Sequence, residues 1–307
     1  MISTYKSKDI TWIDLENPTQ DEVRKVADKY GLDPMTANDL LTPSSRPIVE
    51  EHPDYIYLIF HFPIATDREN YGKITQIQEV DFILGKDFII TNRYGIVDSL
   101  MEFSKTFTVN SILDKSNMSD HAGYIFFYMI KGLYEELTNR LEYLNDLMKD
   151  AEEKIFAGKE KEMVLQLSRL NRLLLNFKKS ITLHDEVIKD LKEVGIKMYG
   201  NDFYKYLRYI YGDYLKVSAT VSGYKEYLDE LRDTNDSLLS TKQNEIMKNL
   251  TIVTFVMLPL SLVAAIFGMN TQHMPIIGHP SDFIIVIALM IMLTGGIFIL
   301  FRITKLL

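Results

Sequence analysis

Little in this sequence is arranged for making or breaking bonds. There is no cysteine, no His-Glu-x-x-His, no Cys-His or Ser-His-Asp constellation, and no Gly-x-x-x-x-Gly-Lys-Ser/Thr loop to cradle a nucleotide phosphate. What remains is the chemistry of oxygen atoms, and two groups of them stand out. Asn244, Met247, Thr251, Thr254, Leu258, Ser261 and Ala265 recur at threes and fours, which places them on one stripe of a helix. The stripe mixes small polar and apolar residues, whereas Val253, Phe255, Leu260 and Leu262 on other faces are bulky. It leads to Gly268-Met269-Asn270, and no charged residue lies between Lys248 and Asp282. The second group is acidic: Asp229, Glu230, Asp233 and Asp236. Uncharged oxygens hydrogen-bond water, including the shell around an ion. Facing carboxylates repel unless a cation bridges them, and their hard oxygens suit hard divalent cations. The bland alternative for the acids is a solvated helix face.

The elements that carry these residues are legible from charge and hydropathy. The run 250–267 has no charged side chain, and 283–301 is a second such run. Each is long enough to cross a bilayer as a helix. Mean hydropathy over all 307 residues is only −0.04, so the 248 residues ahead of the first run are strongly polar. They suffice for a folded domain plus long helices. Lys242 and Lys248 precede the first run, Arg302 and Lys305 follow the second, and the connection between has neither Lys nor Arg. The positive-inside rule then predicts both termini in the cytoplasm and the connection outside. The N-terminal segment lacks the apolar core of a signal peptide, so the large N-terminal part is expected to stay cytoplasmic. The absence of cysteine excludes disulfides and thiolate metal sites. A net charge of −8 without a basic stripe argues against nucleic acid as a partner.

Along the chain, 12–15 is strand-like and Asn17-Pro18-Thr19 ends it. Thr19 and Glu22 fit a capping box, predicting a helix to about Tyr30. Pro43 and Pro47 break the next segment. Residues 55–62, 75–84 and 87–91 are β-rich, with a tight turn at Gly85-Lys86. A mixed sheet flanked by helices is expected, one of them over 96–107. From His121 the period changes. Phe126, Ile130, Leu133, Leu137, Leu141, Leu144, Met148, Ala151 and Ile155 form one apolar seam, and Met163 to Leu191 carry another beyond Ala157-Gly158-Lys159. That pattern predicts an antiparallel hairpin of two helices with coiled-coil character. His184 lies on the second seam and reads as a buried, hydrogen-bonded histidine, because no second His or carboxylate shares its turn there. After a break over 195–201, nothing stops a helix before Leu258. It should run unbroken into the first apolar run, about 65 residues and about 100 Å long. A stripe protruding that far needs neighbours, and self-association supplies them.

Gly268-Met269-Asn270 at the outer end of the first of two C-terminal spans resembles the signature of the CorA family of magnesium transporters. A given tripeptide occurs by chance in roughly one chain of this length in fifty. The resemblance also covers Asn244-Glu245-Ile246-Met247-Lys248, Leu250-Thr251, Leu258-Pro259-Leu260, residues 12–19, Asp39-Leu40-Leu41 and Arg46-Pro47, in the family's order. It implies a funnel-shaped homopentamer in the cell (inner) membrane. The parts would be a cytoplasmic α/β domain over 1–118, the helical hairpin over 119–200 and a stalk helix over 201–248. A first span over 249–270, an extracellular loop over 271–282, a second span over 283–301 and a tail over 302–307 complete it. The long helices would line a pore through Asn244, Met247, Leu250, Thr251, Thr254, Leu258, Ser261 and Ala265, with Gly268, Met269 and Asn270 as the selectivity filter.

The resemblance further implies Mg²⁺ as both substrate and regulatory ligand, without ATP. A ring of neutral Asn270 amides suits Mg²⁺, which gives up its water reluctantly. Met247, Leu250 and Leu258 would be hydrophobic constrictions of the kind that gate by dewetting, or else ordinary helix packing. Asp233 falls at the family's stalk sensor position, and its partner across a subunit boundary would be Asp98 or Glu102. The loop after the signature carries His273 and His279 and no acid before Asp282, which raises Co²⁺, Ni²⁺ and Zn²⁺ as cargo. Two rivals stay open: a Zn²⁺ or Ni²⁺ transporter of the same superfamily, which Met269 disfavours, and a membrane-tethered coiled-coil scaffold.

Overall fold

The structure, a computed structural model, describes residues 1–7, 10–44, 47–64, 76–95, 97–112, 121–270, 276, 278 and 280–303. Arg46, Ile96, the loop histidines His273 and His279, and Lys305 fall outside them. The chain divides into two compact units, Met1–Asp233 and Thr234–Leu307.

The first unit is built on a sheet of six strands in the order β1-β2-β6-β5-β4-β3: β1 (Ile2–Ser7), β2 (Ile10–Glu16), β3 (Val49–Glu51), β4 (Tyr55–Ile64), β5 (Gln76–Gly85) and β6 (Phe88–Arg93). Only the β2–β6 pair is parallel, so the sheet is mixed, as expected. The registers sort the side chains onto two faces. Ile13, Leu15, Tyr57, Ile59, Ile83 and Ile90 form one, and they pack with Val23 and Val26 of helix α1 (Gln20–Tyr30) and with Leu32 and Leu40 around helix α2 (Pro34–Asp39). Trp12, Phe60, Phe62 and Phe82 form the other. They meet Phe103 and Phe107 of α3 (Asp98–Ile112), Phe126 and Tyr134 of α4 (Ala122–Phe156), and His184. Burial on both faces explains why β4 is apolar almost throughout rather than alternating.

The local signals act as written. Thr19 accepts from the Glu22 amide, and Glu22 closes the box on the Thr19 backbone. Gly31 ends α1 at φ 66°, a left-handed conformation that costs glycine nothing. Three elements were not foreseen, among them the short edge strand β3. β1 is a half-exposed edge strand of mixed polarity, and α2 is a single short helix whose start is marked by Asp33 accepting from the Met35 amide and by Pro34 at its first turn. Helix α3 also runs to Ile112, past the expected end at 107.

A polar network holds β2 to β6 under α3. The indole N–H of Trp12 donates to Thr91 Oγ1 at 3.0 Å, and that hydroxyl donates to Asp14 Oδ1 at 2.7 Å. Arg93 spans Asp14, Glu16 and the carbonyl of Gly95, the last at 2.9 Å.

The helical part corrects the sequence reading in two respects. Helices α4 and α5 (Glu160–Ile181) are the antiparallel pair, with Gln166 reaching Asp150 across the turn. The second seam is not one helix, however: it breaks at Thr182-Leu183, and α6 (His184–Tyr199) starts afresh. Ile181, His184 and Ile188 keep the spacing of threes and fours through the break, so periodicity does not reveal it. His184 is fully buried, with Nε2 2.9 Å from the His61 carbonyl and Nδ1 2.8 Å from the Tyr134 hydroxyl. A carbonyl only accepts, so Nε2 carries the hydrogen and Nδ1 accepts from Tyr134. This is the satisfied core histidine expected. Gly195 does not end α6. A Cβ there would lie 2.6 Å from the Phe203 ring, so the glycine makes room for that ring, and the chain turns instead at Gly200, at φ 83°. Helix α7 (Phe203–Phe267) then runs 65 residues without interruption, as expected.

Two measurements test this account, and the single tryptophan, fully buried Trp12, reports both. Thr91→Val keeps the shape but strands the Trp12 and Asp14 groups, and is expected to cost about 1–3 kcal/mol with a red-shifted emission. Burial pushes the His184 pKa down to about 4, against the opposing hydrogen bond to His61. A depressed histidine contributes stability above its unfolded value near 6.5 and loses it as pH falls toward 4. The expected loss is roughly 3 kcal/mol over that window, and His184→Gln should flatten this acid limb in thermal melts.

Candidate functional site

The unit Thr234–Leu307 contains the C-terminal part of α7 and helix α8 (Asp282–Ile303). Both helices are long and apolar enough to cross a membrane. Within the apolar part of α7, the partly shielded positions are Ile252, Val256, Pro259, Leu260, Val263 and Phe267. On α8 they are Asp282, Val286, Met290, Leu293, Thr294 and Ile297, ending on buried Phe301. Each set recurs at threes and fours, so each helix has one shielded face, and the ring of Phe255 meets that of Phe301 edge-on.

The sequence-derived stripe lies elsewhere on α7. Asn244, Met247, Thr251, Thr254, Leu258, Ser261 and Ala265 are all exposed, with Leu258 at 63%. At 100° per residue the centre of this stripe is roughly opposite the shielded one. The hydroxyls of Thr251 and Thr254 donate to the carbonyls of Met247 and Leu250 four residues back, at 2.7 and 2.8 Å. Their hydrogens are thus committed to the helix, and their oxygens are left outward as acceptors. Leu250 is exposed at the edge of the same stripe.

The helix loosens into the tripeptide. The Gly268 amide still donates to the Ala264 carbonyl at 2.9 Å, and the Met269 amide reaches Ile266 at 3.2 Å. Asn270 is exposed and outside any regular element. Gly268 is not in the left-handed region; a Cβ there would stand 3.0 Å from the Ala264 carbonyl. Close approach of backbone is therefore what the glycine permits. Pro259 sits inside α7 and withholds one backbone donor from the Phe255 carbonyl, beside Leu258 on the stripe. Pro259 and Leu260 belong to the shielded face, which the same periodicity makes readable, while Leu258 stands on the exposed stripe.

The acids give a sparser picture. Asp98 opens α3 as a half-buried residue, Glu102 is exposed one turn on, and Asp233 is exposed on α7. The start of α3 is held from outside, since the Ser99 amide donates to Glu136 on α4, and Glu136 pairs with Arg140. Among the described residues no three His, Asp or Glu side chains gather where they could hold a metal ion. A single chain therefore does not assemble Asp98, Glu102 and Asp233 into one metal centre.

Two helices long and apolar enough to cross a bilayer, one of them carrying an exposed polar stripe, fit an integral membrane protein. The chain is a member of the CorA-like Mg²⁺ transporter family, whose model matches residues 7–302. It is 26% identical over 281 residues to the cobalt/magnesium transport protein CorA of Thermotoga maritima, covering 91% of this chain and 78% of that one. It is 23% identical over 299 residues to the protein of the same description from Methanocaldococcus jannaschii, covering 97% and 92%. The fold is similar to the complete structure of the CorA magnesium transporter from M. jannaschii, with a TM-score of 0.83 at 22% identity over 98% of this chain and 92% of that one. The family is one of transporters, and the chain is accordingly not an enzyme.

Proposed function

We propose that the chain is one subunit of a homopentameric divalent-cation channel that admits Mg²⁺, and Co²⁺ as a secondary cargo, into the cytoplasm. The observation that carries this reading is the position of the polar stripe on α7, turned away from the face shielded by the second span and leading to Gly268-Met269-Asn270. Five copies with α7 inward and α8 outward put that stripe around an axis and satisfy its outward acceptors with water. The exposed acceptors of Thr251 and Thr254 suit an ion that travels hydrated, and no carboxylate stands on the span to trap it. Met247, Leu250 and Leu258 supply the apolar constrictions, and Asn270 with the Gly268 backbone holds the ion's water at the outer mouth. Both termini face the cytoplasm of the cell in this arrangement, and the loop between the spans faces out. Flux needs no ATP: a divalent ion gains about 4.6 kcal/mol per 100 mV of inside-negative potential, more than three decades of concentration.

An open path of this kind requires closing when the cell is replete. Since one chain gathers no metal centre from Asp98, Glu102 and Asp233, the regulatory Mg²⁺ is held between neighbouring subunits, Asp233 of one facing Asp98 or Glu102 of the next. The cation offsets the repulsion of these exposed acids, and its loss loosens the ring.

In liposomes, Asn270→Ala is expected to lower Mg²⁺ flux at least tenfold, about 1.4 kcal/mol of lost ion stabilisation; unchanged flux sinks the channel reading and leaves a scaffold. Asp233→Ala is expected to remain protease-sensitive at millimolar Mg²⁺ where the parent is protected. Equal protection of the two proteins removes Asp233 from the regulatory site.

A further inference from the structure

A group of buried acids lies in the first unit, on the sheet face under α2. Glu79 and Asp81 are two residues apart on β5, so they stand side by side on that face. Both are buried, Asp81 completely. Pairing across the sheet sets His61 of β4 opposite Glu79 and Asn92 of β6 opposite Asp81. His61 Nε2 is 3.4 Å from Glu79 Oε2. Asn92 Nδ2 donates to Asp81 Oδ2 at 2.7 Å. Tyr57, Tyr94 and Asp39 are the other titratable groups around the pair, from β4, from the residue after β6, and from α2. Both Glu79 oxygens, Asp81 Oδ1, Asn92 Oδ1 and the Tyr57 hydroxyl are sealed from solvent with no hydrogen-bond partner among the described residues.

The same side chains hold one short stretch of backbone. Tyr94 donates its hydroxyl to the Asp39 carbonyl at 3.1 Å, Asn92 Nδ2 donates to the Leu40 carbonyl at 3.2 Å, and His61 Nε2 lies 2.9 Å from the Ser44 carbonyl. Side chains of β4 and β6, and of the residue after β6, therefore tie down residues 39–44, the end of α2 and the segment after it. This segment begins with Asp39-Leu40-Leu41, which plays no part in the ion path. Arg46, two residues beyond it, lies outside the described residues.

We propose that residues 39–44 form a proton-latched strap: two protons held among Glu79, Asp81 and His61 keep it closed, and their loss to bulk water at alkaline pH releases it. With one proton between the two carboxyls and one on His61, the three groups sum to zero charge. Asp81 Oδ1 then donates to Glu79, which supplies the donor their sealed oxygens lack, and His61 faces Glu79 as a cation. When both protons leave, two negative charges remain in a dry space beside the Asp39 and Leu40 carbonyls and the Asp39 carboxylate. Burial costs of that size are relieved by letting water in. The way in is to lift the segment that Tyr94, Asn92 and His61 tie down.

The direction agrees with the electrostatics. Burial first, then Glu79, hold Asp81 well above the usual carboxylate range. Burial alone would lower His61, but its contacts with Glu79 and the Ser44 carbonyl leave it raised. Both groups thus contribute stability at low pH that is lost as pH rises through their folded values, the opposite limb to that of His184.

Amide hydrogen exchange of the full-length protein in detergent micelles, read by mass spectrometry at about pH 6 and about pH 9 with the intrinsic rates normalised, tests the strap. Protection over 34–44 is expected to fall roughly tenfold or more at the higher pH, while peptides from α5 keep theirs. Asp81→Asn retains the acceptor for Asn92 and places an N–H toward Glu79, so the fall should disappear. Glu79→Gln should do the same, and carries the test if the first variant loses Trp12 emission. Wild-type protection that does not change with pH overturns the proposal by itself. So does a fall of the same size in either folded variant.

Discussion

Hydroxyl and amide oxygens on a helix in hydrocarbon must find hydrogen-bond partners or bear the full cost of desolvation. Most of what is distinctive in this chain follows from that constraint acting on α7. Thr251 and Thr254 bond back to their own carbonyls, which satisfies one hydrogen each and leaves oxygen lone pairs outward. Helix α8 shields a different face. Among the described residues the polar stripe meets no other helix, and the family to which the chain belongs is one of transporters. In the proposed channel, water on that stripe turns the membrane helix into a route for a hydrated ion.

The polar unit ahead of the span works under a different constraint. Its sheet is covered on both faces, so every polar side chain in it must be paired or neutral. Trp12, Thr91, Asp14 and Arg93 solve this with a chain of donors and acceptors ending on a backbone carbonyl. His184 solves it by staying neutral between Tyr134 and His61. Glu79 and Asp81 meet His61 and Asn92 but keep sealed oxygens without a donor, and a shared proton is the remedy proposed above. The contrast explains why burial lowers the pKa of His184 while the contact with Glu79 leaves that of His61 raised. His61 accepts the bond from His184 through its backbone and contacts Glu79 through its ring, so both behaviours converge on one residue of β4.

Much of this organisation was legible in the residues, and the reasons differ by element. Capping at Thr19 and Glu22 is a local interaction over three residues, so composition alone identified it. The 65-residue α7 was visible because nothing in it interrupts the helix strongly enough, even with Pro259 inside. By contrast, β1 carries too little apolar alternation to stand out, since its partner β2 supplies the pairing. The break before His184 was invisible to periodicity, because the apolar spacing continues through a kink that serves a histidine's two distant partners. Gly195 read as a helix end, yet it exists to admit Phe203, a contact no local pattern encodes. The acid trio Asp98, Glu102 and Asp233 could be named but not joined, since one chain does not gather them.

What the sequence determined by itself is everything set by neighbours within a turn or two: the uncharged spans, the stripe at threes and fours, the cap, and Gly268-Met269-Asn270 at a helix end. Tertiary structure alone decided which face of α7 α8 shields, which histidine stays neutral, and that Glu79, Asp81, His61 and Asn92 meet behind residues 39–44. Those outcomes depend on strand register and on the loss of water from particular places. Register and desolvation are properties of segments brought together from far apart in the chain, and no window along it contains them.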